Sequence, residues 1–454
     1  MARDVSDATP IASTRELVEW IASGEKPRPL WRLGTEHEKV PFRRADRRPV
    51  PYEGGIRAIL DGLAVETGWE PILEDGHPIG LAEPEGGGAI SLEPGGQFEL
   101  SGAPLLSVHE TAAELARHLD ATKRVADRLG LSFLTLGMSP RWTRVETPLM
   151  PKRRYQIMAG YMPKVGGLGL DMMFRTATVQ VNLDFASEAD MVRKPRLSLA
   201  LQPVATALFA NSPFTDGKPN GFLSMRSQIW RDTDGNRTGM LPRAFEDGFG
   251  YESYVDWALG VPLYFVKRGD AYHDVSGASF RDLLAGRLPA LPGERATHSD
   301  WANHVSTLFP EVRLKRYLEM RGADVGPPAL IAALSAFWVG LLYDETALDG
   351  AWDLVKSWST QDRELLRADV PRLALGATVA GRPVRDVASD VLGLARRGLE
   401  RRALSDAAGM SEARYLDPLD EIVATGRTQA ERLLTLYHGS WGRSVEPAFE
   451  ECVF

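Results

Sequence analysis

An α+β fold is predicted for this chain, with helices packed on one face of a sheet and ionisable side chains carried on the other. Two observations predict it. Three separated segments alternate polar and apolar residues with the period of two that strands require, and each keeps its polar residues on one side. Between and after them run stretches with the apolar spacing of amphipathic helices.

Taken in chain order, Ser13 and Thr14 offer caps for a helix over residues 13–21. Residues 31–42 read as a strand. Glu36 and Glu38 are two apart, so an extended backbone projects both carboxylates onto one face, while His37 points the other way and is read as structural. In residues 90–100, Pro94-Gly95-Gly96 stands between alternating runs, the chemistry of a three-residue hairpin loop with Gly at the left-handed position. Closing there pairs Glu93 with Gln97 and Ser91 with Glu99, so these four share a face and Leu92, Phe98 and Leu100 cover the other. Residues 107–129 are helical by spacing. Residues 175–184 set Thr176, Thr178, Gln180 and Asn182 against Ala177, Val179, Val181 and Leu183, a third polar-faced strand. The most apolar stretches, 197–210 and 330–343, are too short or too punctuated to cross about 30 Å of hydrocarbon, and they read as core helices. The end of the chain is rich in Ala, Leu, Arg and Glu, with Val384–Arg402 strongly helical. No repeat, low-complexity block or long linker interrupts it. One elaborated catalytic domain is therefore expected over residues 1–454, with a catalytic core over 30–345 and a mainly helical packing region over 346–454.

Composition narrows the function. The chain is 44% hydrophobic and 25% charged, ordinary for a soluble enzyme, and a net charge of -8 argues against non-specific binding to nucleic acid, which needs a basic surface. The single cysteine, Cys452, excludes an intrachain disulfide and a multi-thiolate zinc site. With four acids and no apolar run in the first twenty residues there is no signal-peptide pattern, so a cytoplasmic, reducing location is expected.

A sheet face carrying Glu36, Glu38, Glu93 and Glu99 concentrates negative charge. At an effective dielectric of about 20, two charges about 4 Å apart repel by about 4 kcal/mol, so the cluster has to be solvated, protonated or neutralised. Hard oxygen donors without Cys point to Mg²⁺, with Mn²⁺ a possible substitute, and the amide oxygens of Gln180 and Asn182 are compatible neutral ligands. Each Glu taken singly fits a solvated strand face equally well. The two-His spacing of a helix-borne metalloprotease is absent. Basic residues recur at 151–154, Arg175, Arg226, Arg237 and in the run 313–321, and there is no Walker loop, so any bound ATP would have its phosphates held by arginines and metals. Glu319 lies between Lys315-Arg316 and Arg321, as a further ligand or as part of a surface ion-pair network. Gly86-Gly87-Gly88 is either a plain turn or a loop that approaches phosphate with its N–H groups.

At this point the residues form a recognisable series. Gly34-Thr35-Glu36-His37-Glu38-Lys39, Ser91-Leu92-Glu93-Pro94-Gly95-Gly96-Gln97-Phe98-Glu99-Leu100-Ser101-Gly102 and the segment 175–185 resemble the plant-type glutamate-cysteine ligases that also occur in proteobacteria. So do Ala210-Asn211-Ser212-Pro213-Phe214, Ser224-Met225-Arg226, Asp234-Gly235-Asn236-Arg237-Thr238-Gly239 and Arg316-Tyr317-Leu318-Glu319-Met320-Arg321-Gly322-Ala323-Asp324, in unbroken order from about residue 31 to 343. The resemblance implies a glutamine-synthetase-like catalytic fold, in which a curved, mainly antiparallel sheet forms a funnel-shaped active site with helices behind it. It implies ATP- and Mg²⁺-dependent ligation of the γ-carboxylate of glutamate to cysteine through γ-glutamyl phosphate, the first step of glutathione biosynthesis.

Carried over by position, the resemblance makes Glu36, Glu38, Glu93, Glu99, Gln180 and Glu319 the metal shell. Arg237 and Arg321 become the catalytic arginines, and Arg154, Arg175, Arg226 and Trp230 join them around glutamate or ATP, with Tyr155 and Met173 shaping the pocket. The expected partners are glutamate, cysteine and ATP, with neither nucleic acid nor membrane, in a monomer or weak homodimer. The plant redox cysteines are missing, and no plastid-targeting extension is read before Met1, in keeping with the cytoplasmic expectation. The nearest rival is a γ-glutamyl ligase using another amine acceptor. More distant rivals are a metal-independent hydrolase using two of the acids and a binding protein that keeps the metal site without turnover.

Overall fold

The computed structural model describes residues 7–454. Its centre is a nine-stranded sheet: β1 (Leu33–Arg43), β2 (Glu70–Glu74), β3 (His77–Ala82), β4 (Ala89–Leu92), β5 (Phe98–Ser101), β6 (Leu131–Leu134), β7 (Thr178–Leu183), β8 (Val312–Leu314) and β9 (Leu318–Asp324). The order is β8-β9-β7-β1-β5-β4-β3-β2, with β6 pairing the C-terminal part of β1. Every pairing in it is antiparallel and the order does not close on itself, so the fold is α+β around an open sheet. Central β1 sets Glu36 opposite Ser101 on one side and Gln180 on the other, and Glu38 opposite Glu99.

The β4–β5 hairpin closes as its residues predict. Glu93 N–H donates to the Gln97 carbonyl at 2.9 Å and Gly96 N–H to the Glu93 carbonyl at 2.9 Å. Gly96 has φ +85°, in the left-handed region that disfavours a side chain. At Gly95 a Cβ would lie 2.4 Å from the Phe174 carbonyl oxygen, so only glycine fits there.

The strand expected over residues 175–184 begins late, at Thr178, because Gly169–Arg175 is a helix. Arg175 ends that helix and pairs with Asp171 one turn back at 3.2 Å and with Asp216 at 2.7 Å. Such an i,i+4 pair supports helix, and period-two reading of the segment overlooks it. At two predicted helices the starts hold: Ser13 precedes Thr14–Ala22, although its side chain makes no capping bond, and Ser107 forms a reciprocal capping box with Glu110 at the start of Val108–Leu129, whereas the core helix read over 197–210 runs Glu188–Leu208.

Odd-numbered positions of β1 face the helices. The Thr35 and Ser335 hydroxyls lie 2.7 Å apart, joining β1 to the buried helix Pro328–Leu342, and the His37 ring meets His118 of Val108–Leu129 edge-on at 5.5 Å. Val179, Val181 and Leu183 of β7 belong to the larger apolar core with Pro328–Leu342 and the helix Glu188–Leu208, while Leu92, Phe98 and Leu100 pack with Val125 and the helix Arg57–Thr67. Helices follow one another after residue 345, and the chain end returns to the sheet, with Val453 bridging Leu134. Among the described residues no single helix is long and apolar enough to cross a membrane.

Candidate active site

With odd positions of β1 turned to the helices, Glu36 and Glu38 face the other way, into a cavity that Glu93, Glu99, Gln180, Thr178 and Tyr155 also line. Arg154, Arg226, Arg313, Lys315 and Arg321 line it as well, with Trp230, Phe309, Met158, Met172 and Met173 forming its apolar wall. The sheet register explains why acids from three chain segments meet. Antiparallel neighbours are only about 5 Å apart, so side chains directly opposite one another on the same face are forced together.

The acids are held by short bonds and strained by their own charges. Glu99 accepts from the Ser91 hydroxyl at 2.5 Å, Glu38 from the Thr178 N–H at 3.1 Å, and Glu36 from the Asn182 amide at 2.8 Å. Burial, with Glu319 and Glu99 nearby, raises the Glu36 carboxyl. Burial, with Glu93 and Glu99 nearby, pushes Glu38 well above the usual carboxylate range, and Arg226 offsets only part of this. A cation brought to this face would relieve both. Asn182 Oδ1 is buried without a hydrogen-bond partner, a further oxygen on offer. Among the described residues no three acids close a metal shell by themselves. That donor set fits Mg²⁺, which takes one or two carboxylates, keeps waters and shares its shell with phosphate oxygens.

Glu319 is placed differently from the ligand expectation. Its side chain has no exposure, and Arg313 and Arg321 reach it at 2.6 Å and Lys315 at 3.4 Å. Burial alone would raise this carboxyl, but the three cations hold it well below its ordinary range. Burial, with Arg313 alongside, lowers Lys315 to about 8. Glu319 therefore gathers the cations beneath the cavity instead of lining it, and Arg321 also donates to Gln180 Oε1 at 2.5 Å.

Arg154, Arg226, Arg321 and Trp230 reach the cavity, whereas Arg175 and Arg237 do not. Arg175 is spent on Asp171 and Asp216. Arg237 is completely buried. It donates to Asp234 at 2.6 Å, to the Thr307 carbonyl at 3.1 Å and to the Pro262 carbonyl at 2.8 Å, and it stacks 3.7 Å from the Tyr264 ring centre. Each of its three nitrogens is engaged within the protein. Arg313 and Lys315, read from sequence only as part of a basic run, are in the site. The signal was their spacing of two, repeated at Glu319 and Arg321 across the β8–β9 turn, with Arg316 turned away over Trp20. Gly87 and Gly88 border a neighbouring cavity that shares Glu36 with the first and is also lined by Asn182.

This fold has a solved counterpart. The crystal structure of the glutamate–cysteine ligase of Francisella tularensis in complex with AMP superposes with a TM-score of 0.53 at 12% identity, covering 90% of this chain and 85% of that one. The two share one glutamine-synthetase-like α+β fold. Over residues 32–451 the chain matches the pattern of glutamate-cysteine ligase family 2. It is 55% identical over 451 residues to the chloroplastic glutamate–cysteine ligase of Medicago truncatula, covering 99% of this chain and 87% of that protein. To the chloroplastic enzyme of Arabidopsis thaliana it is 55% identical over 447 residues, covering 98% and 84%. The chain belongs to glutamate-cysteine ligase family 2, and its reaction is the ligation of glutamate to cysteine, the first step of glutathione synthesis.

One expectation is overturned here. The relatives at this identity are chloroplastic enzymes by name, so the cytoplasmic location does not stand. The reason is physical: a cellular address is a short receptor-read segment, and the composition of a folded enzyme does not carry it.

Proposed function

We propose that the ligation runs on ATP and Mg²⁺ through γ-glutamyl phosphate in the cavity lined by β1, β5, β7 and these arginines. The observation that supports it most is the set of buried acids on β1 and β5, which destabilise one another, together with a group of arginines within one cavity. A carboxylate oxygen is a poor leaving group. Attack of the glutamate γ-carboxylate on the γ-phosphorus of ATP breaks the bond to ADP, which leaves, and gives an acyl phosphate; the amine of cysteine then attacks the acyl carbon, expelling phosphate and giving up a proton.

Bound Mg²⁺ ions would supply positive charge to the phosphate oxygens, and Glu36, Glu38, Glu93 and Glu99, with the oxygens of Asn182 and Gln180, would hold them between them. The chain's own residues do the rest by position and charge. Arg226 and Arg321 offer donors to the anionic groups of glutamate and the moving phosphoryl, and Arg313 and Lys315 add to the field from the sheet side. Arg154 is held 5.1 Å from the Tyr155 ring centre, with its Nη2 donating to the Tyr155 hydroxyl at 3.3 Å, which fixes its reach beside Glu93. Glu319 serves as the anchor of Arg313, Lys315 and Arg321. The apolar wall of Trp230, Phe309 and the methionines excludes water that would hydrolyse the acyl phosphate.

The test is ADP release with purified protein, which should require glutamate, cysteine and Mg²⁺ together. Glu38→Gln keeps shape and removes a charge, so turnover should fall by about 10²-fold or more at limiting Mg²⁺ while the fold survives. Unchanged turnover of this variant at limiting Mg²⁺ would remove the acids from the metal site.

A further inference from the structure

Three sequence motifs contribute residues that no step above uses, and these converge on one buried carboxylate. Asp324, at the end of β9, is 1% exposed, and Asn211, Ser212 and Ser224 around it are 2%, 1% and 0% exposed. Asp324 Oδ2 accepts from the Asn211 N–H at 2.8 Å and from the Ser212 hydroxyl at 2.7 Å, and its Oδ1 accepts from the Ser224 hydroxyl at 2.9 Å. Both hydroxyls pass the order on. Ser212 Oγ accepts from the backbone N–H of Arg226 at 3.1 Å, and Ser224 Oγ caps the helix Met225–Trp230 by accepting from the Ser227 N–H at 3.2 Å. The Arg226 guanidinium then reaches back to β9 and donates to the Arg321 carbonyl at 3.0 Å. Arg321 itself stands where the β7–β9 register shifts, between Met320 and Ala323.

We infer that Asp324, through Ser212 and Ser224, is a positioning residue for Arg226, locking it to the Arg321 bulge as one rigid pair of cations in the substrate cavity. The chemistry favours this over a plain packing role. A buried carboxylate needs donors, and apolar residues would fill the same space without that cost. Here all three donors belong to backbone or hydroxyl groups on two segments, one carrying Arg226 and the other accepting the Arg226 backbone N–H at Ser212. A guanidinium on a long side chain loses affinity for a planar anion when its base moves by tenths of an ångström, and the network removes that freedom. Asn211 anchors the arrangement to the rest of the fold by donating to the Thr135 and Val325 carbonyls at 2.8 and 2.9 Å.

This rests on Arg226 meeting substrate as proposed above, so the experiment separates the two. Ser212→Ala deletes one hydroxyl and leaves Asp324 its other two donors, so the protein should fold; Asp324→Asn is the stronger companion variant. Steady-state kinetics of wild type, Ser212→Ala, Arg226→Lys and the double variant form a cycle. Arg226→Lys should lower kcat/KM for glutamate by about 10²-fold, and Ser212→Ala by about 10-fold, mostly through KM for glutamate and not through the Mg²⁺ requirement. In the Arg226→Lys background Ser212→Ala should have almost no further effect, and Ser212→Thr, which restores a hydroxyl, should recover most of the loss. Normal kinetics for Arg226→Lys would overturn the substrate role of Arg226. A full effect of Arg226→Lys with an independent, multiplicative effect of Ser212→Ala, or with a fall in melting temperature alone, would overturn the positioning role.

Discussion

Arg237 offers the sharpest separation between a residue that acts on substrate and one that holds the site in shape. The perturbation is Arg237→Met, which keeps most of the volume and removes the guanidinium. In the folded protein Arg237 and its partner Asp234 both have side-chain exposure of 0%, and the pair closes at 2.6 Å. Removing one member of a buried ion pair strands the other, at a cost of about 3–5 kcal/mol. The Thr307 and Pro262 carbonyls lose their donors as well. At about 2.1 cal/mol/K per residue, unfolding of the 454-residue chain carries roughly 1 kcal/mol/K of entropy, so the melting temperature should drop by about 3–5 °C. Because Arg237 does not line the cavity, kcat per folded molecule should stay within about fivefold of wild type, the residue acting only through the Thr307 carbonyl. Calorimetry paired with active-site-normalised kinetics reads both quantities. An unshifted melting temperature combined with a loss of about 10²-fold in kcat would refute the reasoning and return Arg237 to the reacting groups.

Glu114 should give the fold a pH dependence: burial, with Glu83 nearby, raises its carboxyl to about 7 even though the Ala103 N–H bond works the other way. The folded state then holds the proton more tightly than the unfolded chain, so this stabilisation is complete below the ordinary value of 4.5, falls as pH rises and is gone above about 7. Glu114→Gln should therefore melt about 3 °C higher than wild type at pH 8, with the gain vanishing towards pH 4.5, and a pH-independent difference would count against it. Cys452 is 5% exposed and burial pushes its thiol up to about 12, so it is poorly placed to form a disulfide with another molecule. Activity with and without dithiothreitol should agree within about twofold and a non-reducing gel should show a single monomer band; a reversible change that Cys452→Ser abolishes would contradict this.

Sequence alone determined the parts of this protein that depend on local chemistry. Period-two alternation with a Pro-Gly-Gly turn identifies the β4–β5 hairpin and the shared face of Glu36, Glu38 and Glu99, because strand geometry leaves side chains only two directions. Motif order identified the family. Tertiary structure alone decided which cations belong to the site. Charge at Arg237, Arg175, Arg313 and Lys315 looks alike along the chain, but Asp234 and Asp171 bury the first two in ion pairs, while the antiparallel β8–β9 pairing turns the last two toward the acids. The five strands of the central sheet that pattern reading did not pick out are short, charged or interrupted by Pro and Gly; β6 and β9 complete hydrogen bonding beside β1 and β7 far away in sequence, while β2, β3 and β8 pair with strands close by in the chain. The same holds for Glu319: its spacing suits a metal ligand as well as an ion-pair anchor, and only three cations arriving from the β8–β9 turn make it the anchor. A carboxylate's role follows from what else is buried with it, and burial is a property of the folded chain.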